Sequence, residues 1–173
     1  AENIELNLAI ILERQARYAE AILILRSMLR KHPDSAGYSK ALARVLYASG
    51  RAIESIAIYT ELFELGLKSD PGLAADAATS LSLIHFARGS EQEALCYSQY
   101  LVYLRKEAGS FSRHLRLLNG LGRSQMAVDA ASVVTADIGV RQNPWVLTQV
   151  AAARIGAGDL TGASDIVTAL IDR

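Results

Sequence analysis

Along residues 17 to 33, RYAEAILILRSMLRKHP, the apolar side chains Ala21, Leu25 and Met28 follow one another at intervals of four and three, and the stretch stops at a proline. That spacing puts them on one face of an α-helix. The same skeleton, a turn residue followed by a small residue five later and further residues at four and seven beyond it, returns along the chain. After Ala16 it reads Ala21, Leu25, Met28; after Gly50, Ser55, Tyr59, Leu62; after Gly89, Ala94, Ser98, Leu101. Gly122 is followed by Ala127, Ala131, Val134, and Gly158 by Ala163, Val167, Leu170. The turn residues lie 34, 39, 33 and 36 residues apart, so the chain is a repeat.

Upstream of each turn stands a second helical segment with a pair of residues seven to eight positions before it: Leu8 and Ala9, Leu42 and Ala43, Leu81 and Ser82, Val150 and Ala151. The fourth unit departs, with His114 and Leu115. Each unit therefore reads helix, short turn, helix. Small residues in both helices let the axes approach, but one hairpin cannot bury both apolar faces, and stacking successive pairs does so. No strand-length alternation bounded by turn dipeptides occurs, which leaves an all-α fold. The pattern predicts helices over 4–15, 18–32, 36–49, 52–66, 74–88, 91–107, 111–119, 124–138, 144–156 and 160–172. Pro33 and Pro144 mark helix junctions, and GLKSDPG, residues 66 to 72, reads as a loop insertion that explains the 39-residue step. Gly109, Gly120 and Gly122 bracket a short first helix in the fourth unit, where irregular packing is expected.

A 34-residue unit with Leu8, Ala9, Leu12, Tyr18, Ala21, Leu25, Met28 and Pro33 resembles the tetratricopeptide repeat, and ALARVLYASGRAIESIAIYTELFEL is similar at the same places. The resemblance is strong in the first three units and loose in the last two. It implies a right-handed α-solenoid of antiparallel helix pairs over residues 1–173, with repeats at approximately 2–34, 36–68, 74–107, 110–140 and 144–173. Ser55 stands where the family usually has alanine, and His85 and Arg154 where it has a large hydrophobic residue. These departures bear on helix-packing angles.

What the resemblance implies for function is a concave groove lined by the first helix of each pair, in which a peptide or helix of a partner protein lies. Carried over position by position, the groove shows Leu6, Ile10 and Glu13, then Lys40, Arg44 and Tyr47, then Thr79, Leu83 and Phe86, then Ser112, Arg116 and Asn119. Trp145, Thr148, Ala152 and Ile155 complete it. One version of the family grips a terminal carboxylate with lysine and asparagine in the first unit. Leu6 and Ile10 occupy those places here, which disfavours that activity.

Charge narrows the classes. Eighteen basic and eighteen acidic residues cancel, so the footprint of a general nucleic-acid binder is missing. One cysteine, Cys96, makes no internal disulfide, and the apolar runs are far shorter than the roughly 20 residues that span a bilayer. The chain opens on Ala1, which reads as a processed product or a piece of a longer protein.

Lys40 and Arg44, one helical turn apart, with Arg116 further on and Tyr47 and Phe86 between, suit an acidic or C-terminal peptide segment, although solvated charge is the plainer account. Tyr97 and Tyr100 are read as an outward pair beside core-facing Leu101, suited to an outer protein interface or packed on neighbouring stems. Trp145 is either a groove anchor or a staple at the helix entry. GAGDLTG, residues 156 to 162, is read as an interhelix turn, with Asp159 or Thr161 near the next helix start. His32 suits a helix end, His85 a packed or hydrogen-bonded position, and Cys96 a small apolar filler. The histidines have no metal-ligand spacing, and no nucleophile or phosphate-binding motif occurs, so no metal, cofactor or catalytic activity is expected.

The expected function is a protein-binding scaffold. Alanine and arginine richness suggests a bacterial multiprotein assembly (secretion, pilus, envelope biogenesis or exopolysaccharide export), cytoplasmic or with a lean to the periplasm. The alternatives are self-association through a last helix, Val167, Leu170 and Ile171, with no polar capping helix after it, or the non-catalytic portion of a larger regulatory or export protein.

Overall fold

A computed structural model describes residues 2–133, 140 and 142–172. Among them are ten α-helices and no strand: α1 (Glu2–Arg14), α2 (Tyr18–Lys31), α3 (Ala36–Ala48), α4 (Ala52–Ser69), α5 (Pro71–Ala87), α6 (Glu91–Leu104), α7 (Ala108–Gly120), α8 (Ser124–Val133), α9 (Pro144–Gly156) and α10 (Leu160–Ile171). The part of the predicted eighth helix beyond Val133, with Val134, lies outside the described residues.

The turns follow from backbone chemistry. Ala16, Gly50, Gly89, Gly122 and Gly158 adopt φ of 57°, 83°, 77°, 70° and 85°, the left-handed region that ends a helix. Four of the five turns close with the same bond: Arg17 N–H to Leu12 O, Arg51 to Leu46, Arg123 to Leu118 and Asp159 to Arg154, all at 2.8–2.9 Å. This six-to-one bond satisfies a carbonyl the helix end would leave orphaned. Two turns then start the next helix alike, with Arg17 on Glu20 and Arg51 on Glu54 three residues on.

The chain falls into two compact units, Ala1–Arg88 and Gly89–Arg173. In the first, α1 packs on α2, α2 on α3, α3 on α4 and α4 on α5. Its core is the repeated skeleton: Ala9, Leu12, Ala21, Leu25, Met28, Leu42 and Val45 share one buried cluster. In the second, α6 packs on α7, α7 on α8, and α9 on α7, α8 and α10. Leu95, Phe111, Leu115, Leu118 and Ala127 centre its core.

The small positions five after each turn, Ala21, Ser55, Ala94, Ala127 and Ala163, are all buried. Ser55 fits because its hydroxyl donates to the Ala43 carbonyl across the hairpin at 2.7 Å, so a buried polar group is satisfied. Ser98 and His114 are matched similarly: Ser98 Oγ lies 2.7 Å from His114 Nδ1 and donates to Leu95 O. Burial lowers the His114 pKa below its ordinary value.

Three expectations are corrected. Residues 66 to 72 are not a loop: α4 runs on to Ser69, α5 begins at Pro71, and only Asp70 stands between them. Asp70 Oδ1 accepts from Gly72 N–H at 2.9 Å and Leu73 N–H at 3.2 Å, while proline suits the first helical turn. Gly66 is needed for contact, since a Cβ there would collide with the backbone of Ala74. The first helix of the fourth unit is also not short. Ala108–Gly120 has 13 residues, as α1 and α3 do, with Gly109 and Gly120 inside it. Finally, Cys96 is exposed rather than packed, because its place on α6 falls between the buried positions Leu95 and Ser98.

Candidate functional site

In the first unit the face expected to bind is built from α1, α3 and α5. Two ion pairs fix these helices side by side. Arg44 on α3 makes a two-pronged bond to Glu13 on α1, with Nε to Oε1 at 2.9 Å and Nη2 to Oε2 at 2.6 Å. Lys40, one turn earlier, donates to Asp76 on α5 at 2.8 Å. Planar two-point contact makes the first pair the more directional. Lys40 and Arg44, two of the three cations of the expected basic wall, therefore already hold a carboxylate.

Around these pairs, apolar side chains stay in water. Leu83 is 55 % exposed, Phe86 42 % and Tyr47 39 %, on the same helix faces as the ion pairs by repeat register. Phe86 is thus outside the core. Thr79 is half-buried, and its hydroxyl donates to the Ala75 carbonyl one turn back, so it presents chiefly its methyl group.

The second unit uses its equivalent positions otherwise. Ser112 Oγ donates to Trp145 O at 3.3 Å and Asn119 Nδ2 to Gln149 O at 2.9 Å, tying α7 to α9. Arg116 is exposed between them in register. Asn143 caps α9 by accepting from the Trp145 N–H at 3.0 Å, yet the Trp145 side chain is 76 % exposed, which removes the staple reading. On α6, Leu101 is buried, Tyr97 half-buried and Tyr100 exposed, and Tyr103 is more exposed than either.

Arg154, at a position where a large hydrophobic residue was expected, pairs with Asp159 through Nη1 at 3.1 Å. Its guanidinium lies over Gly162, where a Cβ would collide with it, and Asp159 caps α10 by accepting from Gly162 N–H at 2.9 Å. An apolar cavity of about 390 Å³ lies among α7, α8, α9 and α10 with Arg154 on its wall, and among the described residues its lining holds no carboxylate, histidine or cysteine. Among the described residues no group of three or more His, Cys, Asp or Glu is placed to hold a metal, and no helix is long and apolar enough to cross a membrane.

Sequence reasoning named Glu13 but not its bond to Arg44, and missed Asp76. The available signal was an opposite charge about one repeat away on a neighbouring first helix, 31 residues for one pair and 36 for the other.

A tetratricopeptide-repeat family model matches residues 2–45. No curated protein matches the chain by sequence. Among solved structures, the chain is similar to the nearly identical TPR-like repeats of a putative kinesin light chain from Podosopora anserina, at 20 % identity and a TM-score of 0.74, covering 98 % of this chain and 93 % of that one. It is also similar to the MamA protein, at 16 % identity and a TM-score of 0.72, covering 98 % and 90 %. MamA (41-end) from Desulfovibrio magneticus RS-1 matches at 11 % identity with a TM-score of 0.71, covering 98 % and 93 %. In sequence the chain thus matches the tetratricopeptide repeat over residues 2–45, and in fold it is all-α and similar to tetratricopeptide-repeat structures over 98 % of its length.

Proposed function

We propose that the chain is a non-catalytic binding module whose first-helix face holds a peptide or helix of a partner protein. The observation that carries this reading is the exposure of Tyr47, Leu83 and Phe86 on helices braced side by side by Arg44–Glu13 and Lys40–Asp76. A wall held in place before binding loses little entropy when it is occupied. Leu83 and Phe86 are the anchors, Tyr47 adds an aromatic face, and Thr79 sets the floor. In the second unit Trp145 and Arg116 offer the same two roles, an aromatic anchor and a cation.

The paired charges change the partner expected of this face. An acidic ligand must displace Asp76 or Glu13 from its cation, whereas an apolar or aromatic side chain docks without breaking either pair. An amphipathic segment, apolar side chains inward, is the better fit. Alanine and arginine richness supports a bacterial multiprotein assembly as the setting, among them secretion, pilus, envelope and exopolysaccharide export systems, with the periplasm as the favoured compartment. Tyr97 and Tyr100 are kept as an outer contact for such an assembly.

Capture from fractionated extract tests the reading, using wild type, Leu83→Ala with Phe86→Ala, and Lys40→Glu with Arg44→Glu, after equal helicity is shown. A partner held by wild type and at least about tenfold weaker on the apolar variant supports it, since anchors of this kind carry about 1–2 kcal/mol each. Equal capture by all three forms rejects the face as the working surface.

A further inference from the structure

A contact that recurs between neighbouring repeats is thinned at one junction. Ser98, nine residues after its turn, meets His114, eight before the next, with Oγ 2.7 Å from Nδ1. At the same two offsets Leu25 and Leu42 share one core cluster, and Tyr59 and Leu81, on the packed helices α4 and α5, are both buried. Where α8 packs on α9 the offsets bring Ala131 and Val150, and these two line the cavity of about 390 Å³. An alanine and a valine thus stand where other junctions place two leucines or a tyrosine and a leucine. Lost side-chain volume at an otherwise repeated contact leaves space that close packing fills elsewhere.

The same wall carries a charge at a place the repeat otherwise makes apolar. Arg154, four residues before its turn, occupies the offset at which Leu12, Leu46 and Leu118 are buried. Its Nη1 holds Asp159 at 3.1 Å, while Nε, shut off from solvent, has no hydrogen-bond partner among the described residues. Arg17, Arg44 and Arg51 each grip a carboxylate through Nε and Nη2 together. On Arg154 that two-pronged edge is unused among the described residues. The other polar side chain of the described lining, Ser132, already donates its hydroxyl to Asp129 O at 2.6 Å. A buried donor without an acceptor is costly, and a carboxylate entering from the cavity would remove that cost.

We propose that this cavity is a binding site for a small aliphatic carboxylate, its chain against Ala131, Val146, Val150 and Ile166 and its head on the Nε and Nη2 edge of Arg154. An apolar recess with one fixed polar group selects a ligand of that build. At ~30 Å³ per heavy atom, the share a water takes in the liquid, the space holds about a dozen heavy atoms, the size of octanoate or decanoate. Asp159 keeps Nη1 and steadies the guanidinium, so the ligand completes the set of partners rather than displacing one. The site lies within the second compact unit and uses neither α3 nor α5, so it stands or falls separately from the partner-binding face.

The test is titration calorimetry of the full chain with octanoate and, separately, with 1-octanol, which has the same chain and no charge. Wild type is expected to bind octanoate at one site and at least about tenfold more tightly than the alcohol, since hydrogen bonds to a charged group are the stronger kind. Ala131→Leu, which restores the leucine that α2 carries at this offset, should fill the space, abolish binding of both probes and raise the thermal midpoint. Arg154→Leu, which restores the leucine of three other repeats, should bring octanoate down to the level of the alcohol. Wild type that binds neither probe, or both equally, overturns the proposal. So does an Ala131→Leu protein that binds octanoate as wild type does, or an Arg154→Leu protein that keeps the preference for octanoate. Should Ala131→Leu lower the midpoint instead, Val150→Leu, at the offset of Leu42 and Leu81, fills the same space from the facing helix and takes its place under the same criteria.

Discussion

Replacing Ala16 by glycine should stabilise the protein, and replacing Gly50 by alanine should destabilise it by a similar amount. Both residues close a first helix in the left-handed region, at φ 57° and 83°, with matching bonds from Arg17 to Leu12 and from Arg51 to Leu46. A side chain there costs about 1–2 kcal/mol through its Cβ. Glycine in turn gives the unfolded chain extra freedom worth about 0.4–1 kcal/mol. The net expectation is about 0.5–1 kcal/mol in each direction. Added bulk does not confuse the second half of the experiment, because nothing lies within 4 Å of a Cβ built on Gly50. Urea midpoints followed by far-ultraviolet circular dichroism give the sign, and thermal midpoints should move by about 2–4 °C per kcal/mol for a chain of this size. The reasoning fails if Ala16→Gly is neutral or destabilising while Gly50→Ala costs nothing. The double variant should lie near wild type, since the two turns are separate sites.

Gly66→Ala should lower stability by about 1–3 kcal/mol, read as a urea midpoint, because the new Cβ meets the backbone of Ala74 and must push α4 and α5 apart. Ser55→Val should cost a similar amount by overfilling a fully buried site and orphaning the bond to Ala43, whereas Ser55→Ala should stay within about 1 kcal/mol of wild type. Stability should fall as pH drops below the ordinary histidine value of 6.5, since His114 has a lowered folded-state pKa and the unfolded chain takes up its proton first. That loss levels off once pH is below the folded value, and His114→Gln should flatten the window. A wild-type urea midpoint that does not change there would refute the assignment.

Most of the architecture was readable because each level of the chain repeats the same instruction. The five turn residues picked out by spacing are the five left-handed residues found among the described residues, and the described helix ends lie within three residues of their predicted places, apart from the eighth helix, whose predicted end is outside them. Composition misled where glycine and proline served another purpose. Gly66 and Pro71 read as a loop, yet one permits a close helix contact and the other suits a first helical turn. The candidate site was only half legible. Register located Lys40, Arg44, Leu83 and Phe86 on one kind of face, but register says nothing about partners one repeat away, so Lys40–Asp76 and the bidentate form of Arg44–Glu13 were not foreseen.

The ion pairs have a kinetic consequence. Long-range attraction speeds encounter only when a surface presents net charge at a distance, and a cation 2.8 Å from its carboxylate presents mostly a dipole whose field fades quickly in salt water. A partner reaching α3 and α5 should therefore arrive at an unsteered rate, about 10⁵–10⁶ M⁻¹s⁻¹, and nearly independent of ionic strength. Differences between good and poor partners would then be felt in how long each one stays, set by the fit around Leu83 and Phe86.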